Sequence, residues 1–258
     1  MTYETILVSE EDAVRTITLN RPERRNALSP EMQNELITAL EDAASGPTRV
    51  VMLTGSDEIF CAGLDLEHLR AMASQPQREH EADAKRIARL FRALYEFPLP
   101  TIAIVRGAAV AGGMGLAMLC DFTFAAPGTR FGFTEVKIGF VPALVSTYLA
   151  LQIGGRRARD LLLTGRLFLA EEAARLGLVN AVVPTHELRG YALSVAQSLK
   201  TNSPQSIRAT KQLLIAQNKT WLDIAIDRSL RANAEAQSTR DFKEGITAFL
   251  EKRKPVWQ

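Results

Sequence analysis

The 258-residue chain holds only two cysteines, Cys61 and Cys120, and three histidines. That count excludes a disulfide-stapled scaffold, and no Cys/His spacing resembles a zinc site. Charge of one sign is equally scarce, since 31 basic against 29 acidic side chains leave a formal balance of +2. So weak a field gives no reason to expect nucleic-acid or membrane-surface binding. No apolar run approaches the roughly 18 residues that a membrane-spanning helix requires. The opening residues, MTYETILVSEED, are acidic and lack a basic start and a long apolar stretch. They predict no secretory or organelle leader, hence a cytoplasmic protein. What remains is ordinary globular usage, 47% apolar and 7% aromatic. The length suits one large domain, or one domain with an appendage.

Strand and helix signals alternate along the first half. Residues 3–9 and 14–19 read as an antiparallel pair joined by SEEDA. Ser29, Pro30 and Glu31 give a helix start that runs to Ser45 before Gly46-Pro47. Strands are expected at 49–54, 100–105 and 121–126, with helices from about 65 and over 84–95. Such alternation implies parallel pairing and an α/β fold. From 156 onward the chain reads as helix, apart from an apolar run at 178–183. Helices are expected at 156–163, 170–176, 186–199, 204–217, 220–236 and 239–252, the last ones forming a helical appendage.

Two short segments concentrate the chemistry. Ile59-Phe60-Cys61-Ala62-Gly63-Leu64-Asp65-Leu66 and Val110-Ala111-Gly112-Gly113-Met114-Gly115-Leu116 each place small residues just before a helix. Both leave backbone N–H groups free at a helix start, where negative charge is favoured. A dinucleotide fingerprint is rejected because Gly113-Met114-Gly115 lacks its third glycine, and a P-loop because no Gly-Lys-Ser/Thr occurs. Taken singly, each glycine is explained by close packing of helix on strand.

Taken together, ITLNRPERRNAL, FCAGLDL, AVAGGMGLAMLCD, FGFTEVKIGFVP, LLLTGRLFLAEEAARLGLVNAVVP and FKEGITAFLEKRKPVW resemble, in that order, the crotonase or enoyl-CoA hydratase/isomerase family. The likeness runs from about residue 4 to 257. It implies a spiral of repeated β-β-α units as a core over 1–198, and a C-terminal helical region over 199–258 that makes trimers or hexamers. It implies acyl-CoA as the ligand, with CoA part of the substrate and no separate cofactor. The amides of Leu64 and Gly112 would form an oxyanion hole around the thioester oxygen. Arg24, Arg25, Ala27, Ala62, Asp65 and Leu66 would meet CoA or the acyl group, and Lys252, Arg253 and Lys254 match a tail that meets CoA from a neighbouring subunit. Asp65 also suits a helix cap, and His68 shares a helix face with Leu64.

One departure from the family pattern bears on the reaction. Hydratases of the family carry two glutamates, and at the first position this chain has Gly115. The second is kept as Glu135. Water addition divides naturally between two carboxylates, whereas moving a proton between two carbons suits one. The resemblance therefore leans toward 3-enoyl to 2-enoyl isomerisation. Hydration, including that of a branched methylglutaconyl-type thioester, and acyl-CoA binding without catalysis are the alternatives. Val141-Pro142-Ala143-Leu144-Val145 replaces a glycine-rich stretch of the hydratases and predicts a drier acyl pocket. RNA binding is discounted, because residues 26–48 contain no Lys or Arg and carry Glu31, Glu35, Glu41 and Asp42.

Overall fold

Asp12 and Ala13 adopt φ of 50° and 57°, the positive values of a two-residue type I′ turn whose twist matches the strands it joins. The computed structural model describes residues 2–257. That turn joins β1 (Ile6–Glu11) to β2 (Val14–Leu19), with Ile6 opposite Leu19. The first strand thus continues two residues past the expected 9, because the turn consumes only two. A 3-10 turn over Pro22–Arg24 leads to α1 (Pro30–Ser45), where the Ser29 hydroxyl accepts from the Met32 amide at 3.2 Å. There follow β3 (Val50–Gly55), α2 (Leu66–Met72), α3 (Gln77–Tyr95), β4 (Thr101–Val105), β5 (Ala108–Val110), α4 (Gly112–Leu119), β6 (Phe122–Ala125) and β7 (Arg130–Gly132). A 3-10 turn over Glu135–Ile138 precedes α5 (Ala143–Ile153), α6 (Gly155–Thr164), β8 (Leu167–Leu169), α7 (Ala170–Leu176) and β9 (Ala181–Val182). Three helices close the chain, α8 (Leu188–Thr201), α9 (Pro204–Gln237) and α10 (Arg240–Leu250).

The fold is mixed α/β. Its main sheet has the order β1-β2-β3-β4-β6-β9, parallel except for the β1–β2 pair. Both faces are covered, so β3 and β4 are apolar along nearly their whole length. Val51 and Leu53 share a core with Leu36 and Leu40 of α1 and Ile87 and Leu94 of α3. Val50 and Met52 point the other way, against Leu188, Ala192 and Ala196 of α8. A second, three-stranded sheet has the order β5-β7-β8. The units β4-β5-α4 and β6-β7-α5 each give one strand to each sheet and then a helix, which is the expected β-β-α repeat.

Three expectations need correction. The segments 108–110, 130–132 and 167–169, which carry no strand signal in the sequence, are strands. Three residues are too few to show a period of two. Helix α5 was not expected, because an element apolar on all sides shows no stripe. The helices expected at 204–217 and 220–236 are one, since no Gly or Pro interrupts 205–237. The later part of α9 is built into the core: Leu222 and Ile226 join the main apolar cluster. The buried Ser229 hydroxyl lies 2.9 Å from that of Thr147 and donates to the Ala143 carbonyl at 2.9 Å. Among the described residues no helix is long and apolar enough to cross a membrane.

Candidate active site

The small sheet brings the two glycine segments and Glu135 to one place. Strand β5 runs parallel to β7 with Val110 beside Gly132. The Ala111 amide continues that ladder to the Gly132 carbonyl at 2.7 Å. Gly112 therefore lies two residues beyond one strand end and Glu135 three residues beyond its neighbour, at the same edge. On the other side of β5, Cys61 pairs with Ala109. Leu64 then pairs with Leu28, through the Leu28 amide on the Gly63 carbonyl at 2.8 Å and the Asp65 amide on the Leu28 carbonyl at 3.2 Å.

Close approach fixes the two loops against each other. A Cβ on Gly113 would stand 2.3 Å from the Cys61 carbonyl oxygen, so only glycine permits the contact. Ala111, just before the second loop, holds φ 52° and ψ −123°, a conformation that costs an alanine on the order of 1–3 kcal/mol. A Cβ on Gly112 would lie 3.8 Å from the Leu64 nitrogen, and one on Gly63 3.5 Å from the Gly112 nitrogen. The Leu64 and Gly112 amides are thus neighbours. Neither donates a hydrogen bond among the described residues, and both residues line the same cavity.

That cavity measures about 500 Å³ and is mostly apolar. Glu135 is the one carboxylate among the residues that line it. The side chain is 7% exposed, and Oε2 has no hydrogen-bond partner among the described residues. Burial pushes this carboxyl up to about 7, because the charged form has lost its water. Gly115 explains why no second carboxylate stands nearby. A Cβ there would lie 2.5 Å from Phe91 Cζ and 3.0 Å from Val145 Cγ1, and both these residues line the cavity. Rings and methyls fill the space where a side chain at 115 would begin.

The remaining expected site residues divide. Arg25, Ala62 and Leu66 line the cavity. Arg24 does not, and its guanidinium meets Glu67 at 2.8 Å. Ala27 is buried away from the cavity, with its carbonyl accepting from Arg21 at 2.7 Å. Asp65 caps α2 by accepting from the Glu67 and His68 amides at 3.0 and 3.3 Å, and it pairs with Arg21 at 2.9 Å. His68 turns from the cavity toward Asp83, 2.7 Å away. In the C-terminal cluster Arg253 is held by Glu244 and Glu251 at 2.5 and 2.7 Å. No group of three or more His, Cys, Asp or Glu suited to a metal occurs among the described residues.

Residues 9–258 match the family model for enoyl-CoA hydratase/isomerase. The chain belongs to that family. A Thermus thermophilus relative, named by inference an enoyl-CoA hydratase, is 45% identical over 247 residues, covering 95% of this chain and 98% of its own. A crotonyl-CoA hydratase of Syntrophomonas wolfei is 35% identical over 261 residues, covering 98% of each. The crystal structure of an enoyl-CoA hydratase/isomerase from Xanthobacter autotrophicus superposes with a TM-score of 0.90 at 29% identity, covering 98% of both chains. The cavity also holds residues that the sequence reading did not single out, Lys137 among them although it lies in the quoted FGFTEVKIGFVP segment. Arg130 and Lys137 stand exposed at the cavity, Phe91 fills the space beside Gly115, and Asn233 reaches it from α9. Arg130, Phe91 and Asn233 come from strand and helices outside the glycine loops, and no spacing ties them to those loops.

Proposed function

We propose that this chain converts 3-enoyl-CoA to 2-enoyl-CoA thioesters with Glu135 as the sole acid and base. The observation that carries the reading is the lone buried carboxylate, with apolar groups filling the space where a second would begin. The thioester oxygen accepts from the Leu64 and Gly112 amides. Glu135 takes a proton from C2, and the C–H electron pair passes into a dienolate whose negative charge rests on that oxygen. The same carboxyl returns the proton to C4, which leaves the double bond between C2 and C3. Two preorganised donors serve the anion better than the neutral thioester, at roughly 2.7–4 kcal/mol for each donor lost. A carboxyl at about 7 suits both halves of the transfer. Arg25, Arg130 and Lys137 supply cations for CoA phosphates, and CoA enters as part of the substrate, with no further cofactor. Residues 199–258 form the contacts of a homotrimer or of two stacked trimers.

Hydration is the second reading, favoured by the names of the relatives, several of which are hydratases. In it Glu135 activates water at C3 and delivers that water's proton to C2. Pure trans-3-hexenoyl-CoA and trans-2-hexenoyl-CoA, supplied separately, tell the two apart. Rapid loss of the 3-enoyl isomer with slow hydration of the 2-enoyl isomer is the expected outcome. Efficient water addition to the 2-enoyl thioester overturns the preference for isomerisation. Tight binding without turnover of either would make the chain an acyl-CoA binder.

A further inference from the structure

Asn233 of α9 borders the cavity and is 5% exposed. Its orientation is set by a chain of buried groups. The carboxylate of Asp83 can only accept. Its Oδ1 takes His68 Nε2 at 2.7 Å and the Arg86 guanidinium, and its Oδ2 takes Gln237 Nε2 at 3.2 Å. Gln237 must therefore turn its NH2 toward Asp83, and the same nitrogen donates to Asn233 Oδ1 at 3.2 Å. With Oδ1 so engaged, Asn233 presents Nδ2 and its two N–H groups elsewhere. No acceptor among the described residues meets that nitrogen, and on this mostly buried residue it is not one of the atoms closed to solvent. The buried hydrogen-bond chain accounts only for the oxygen: Oδ1 accepts from Gln237, and the chain makes no use of the NH2.

We infer that Asn233 is a specificity-determining residue that donates to an acceptor oxygen, carbonyl or hydroxyl, carried on the acyl chain of the thioester. The inference rests on the acyl-CoA reading of the cavity and deepens it. A plain hydrocarbon chain drawn into this space strips water from the NH2 and offers nothing in return, an unfavourable exchange for any donor it covers. An acyl group bearing a suitably placed oxygen pairs with it. Among the cavity's other polar side chains, Arg25, Arg130 and Lys137 are exposed, Thr134 is a half-buried hydroxyl next to Glu135, and Glu135 is required for proton transfer.

The test compares non-reacting saturated thioesters, hexanoyl-CoA, 4-oxohexanoyl-CoA and 5-oxohexanoyl-CoA, by titration calorimetry on the full protein. A ketone oxygen only accepts, so it reads the donor alone. At least one oxo thioester is expected to bind about tenfold tighter than hexanoyl-CoA. Asn233→Asp keeps an oxygen for Gln237 but removes the donor, and Asn233→Leu removes both; each is expected to abolish the preference. The wild-type ratio already decides the matter if a variant fails to fold. Equal or weaker binding of both oxo thioesters overturns the inference and leaves the acyl-CoA reading intact, as does a preference that survives in a folded variant. Failure of hexanoyl-CoA and both oxo thioesters to bind overturns the acyl-CoA reading and this inference with it.

Discussion

Glu135 brings a carboxyl into an apolar wall with one oxygen unpartnered, and ionising it there affects both rate and stability. As a base it must be charged, so kcat/KM for isomerisation is expected to rise with pH and reach half its plateau near pH 7. With no second carboxylate on the cavity wall the profile should show one ascending limb, and a bell shape would indicate another essential acid. Stability runs the opposite way. The folded chain holds this proton more tightly than the unfolded chain, whose carboxyl titrates near 4.5. Below that pH the Glu135→Gln variant and the wild type should match. Between about 4.5 and 7 the wild type should lose stability relative to the variant, by on the order of 3 kcal/mol in full. Thermal unfolding across that range measures the divergence, and a constant difference would refute the burial effect. Turnover by Glu135→Gln should fall by about 10²–10⁴-fold. Leu64, Gly112 and Glu135 were legible because each sits in a contiguous motif. Phe91 and Asn233 were not, since their place at the cavity follows from packing of α3 and α9.

Short elements hold the site, and their tolerances are small. Gly113→Ala would put a methyl 2.3 Å from the Cys61 carbonyl oxygen. The backbone must then part, moving the Gly112 amide from its neighbour, and kcat/KM should drop by about 10²–10³-fold while the far-ultraviolet spectrum is retained. Activity near wild type would mean that the amides tolerate separation. A Gly115→Glu side chain begins 2.5 Å from Phe91, so the variant should be overpacked, losing about 1–3 kcal/mol in urea unfolding. Phe91→Ala opens that space, and the double variant should be less destabilised than the sum of the two single ones. Strict additivity would show that Phe91 does not compete with a side chain at 115. The same scale decides what sequence reading can see. The Ser29 cap, the Asp65 cap and the strand at 14–19 announce themselves through local hydrogen-bonding chemistry and a clear period. The small sheet does not, because its three-residue strands exist only through pairing with distant segments. Helix α5, buried among apolar neighbours, leaves no polar face to mark its turns.

At the scale of the whole molecule the striped surface of α9 is left without a cover. Leu213, Leu214, Trp221 and Ile224 are 68%, 57%, 49% and 50% exposed. At about 100° per residue the four fall within one arc of roughly 100°, an apolar strip interrupted by the exposed Gln217. Phe249, on the cavity wall, is likewise 57% exposed. A net charge of only +2 does little to keep copies apart. Burying such side chains between subunits gains about 1.5–3 kcal/mol each, so copies are expected to associate, and the family resemblance sets the expected assembly at a trimer or hexamer. That assembly should persist at 1 M salt, because the strip is apolar and screening leaves it untouched. Trp221→Glu places a charge in the strip and should release monomers at micromolar concentration with the far-ultraviolet spectrum preserved. If the neighbouring subunit also completes the cavity rim at Phe249, the monomer's KM for an enoyl-CoA should rise while the pH at half-maximal rate stays near 7, since the surroundings of Glu135 lie within one chain. Sedimentation of the wild type as a monomer, or an unchanged KM in a monomeric Trp221→Glu, would separate assembly from catalysis.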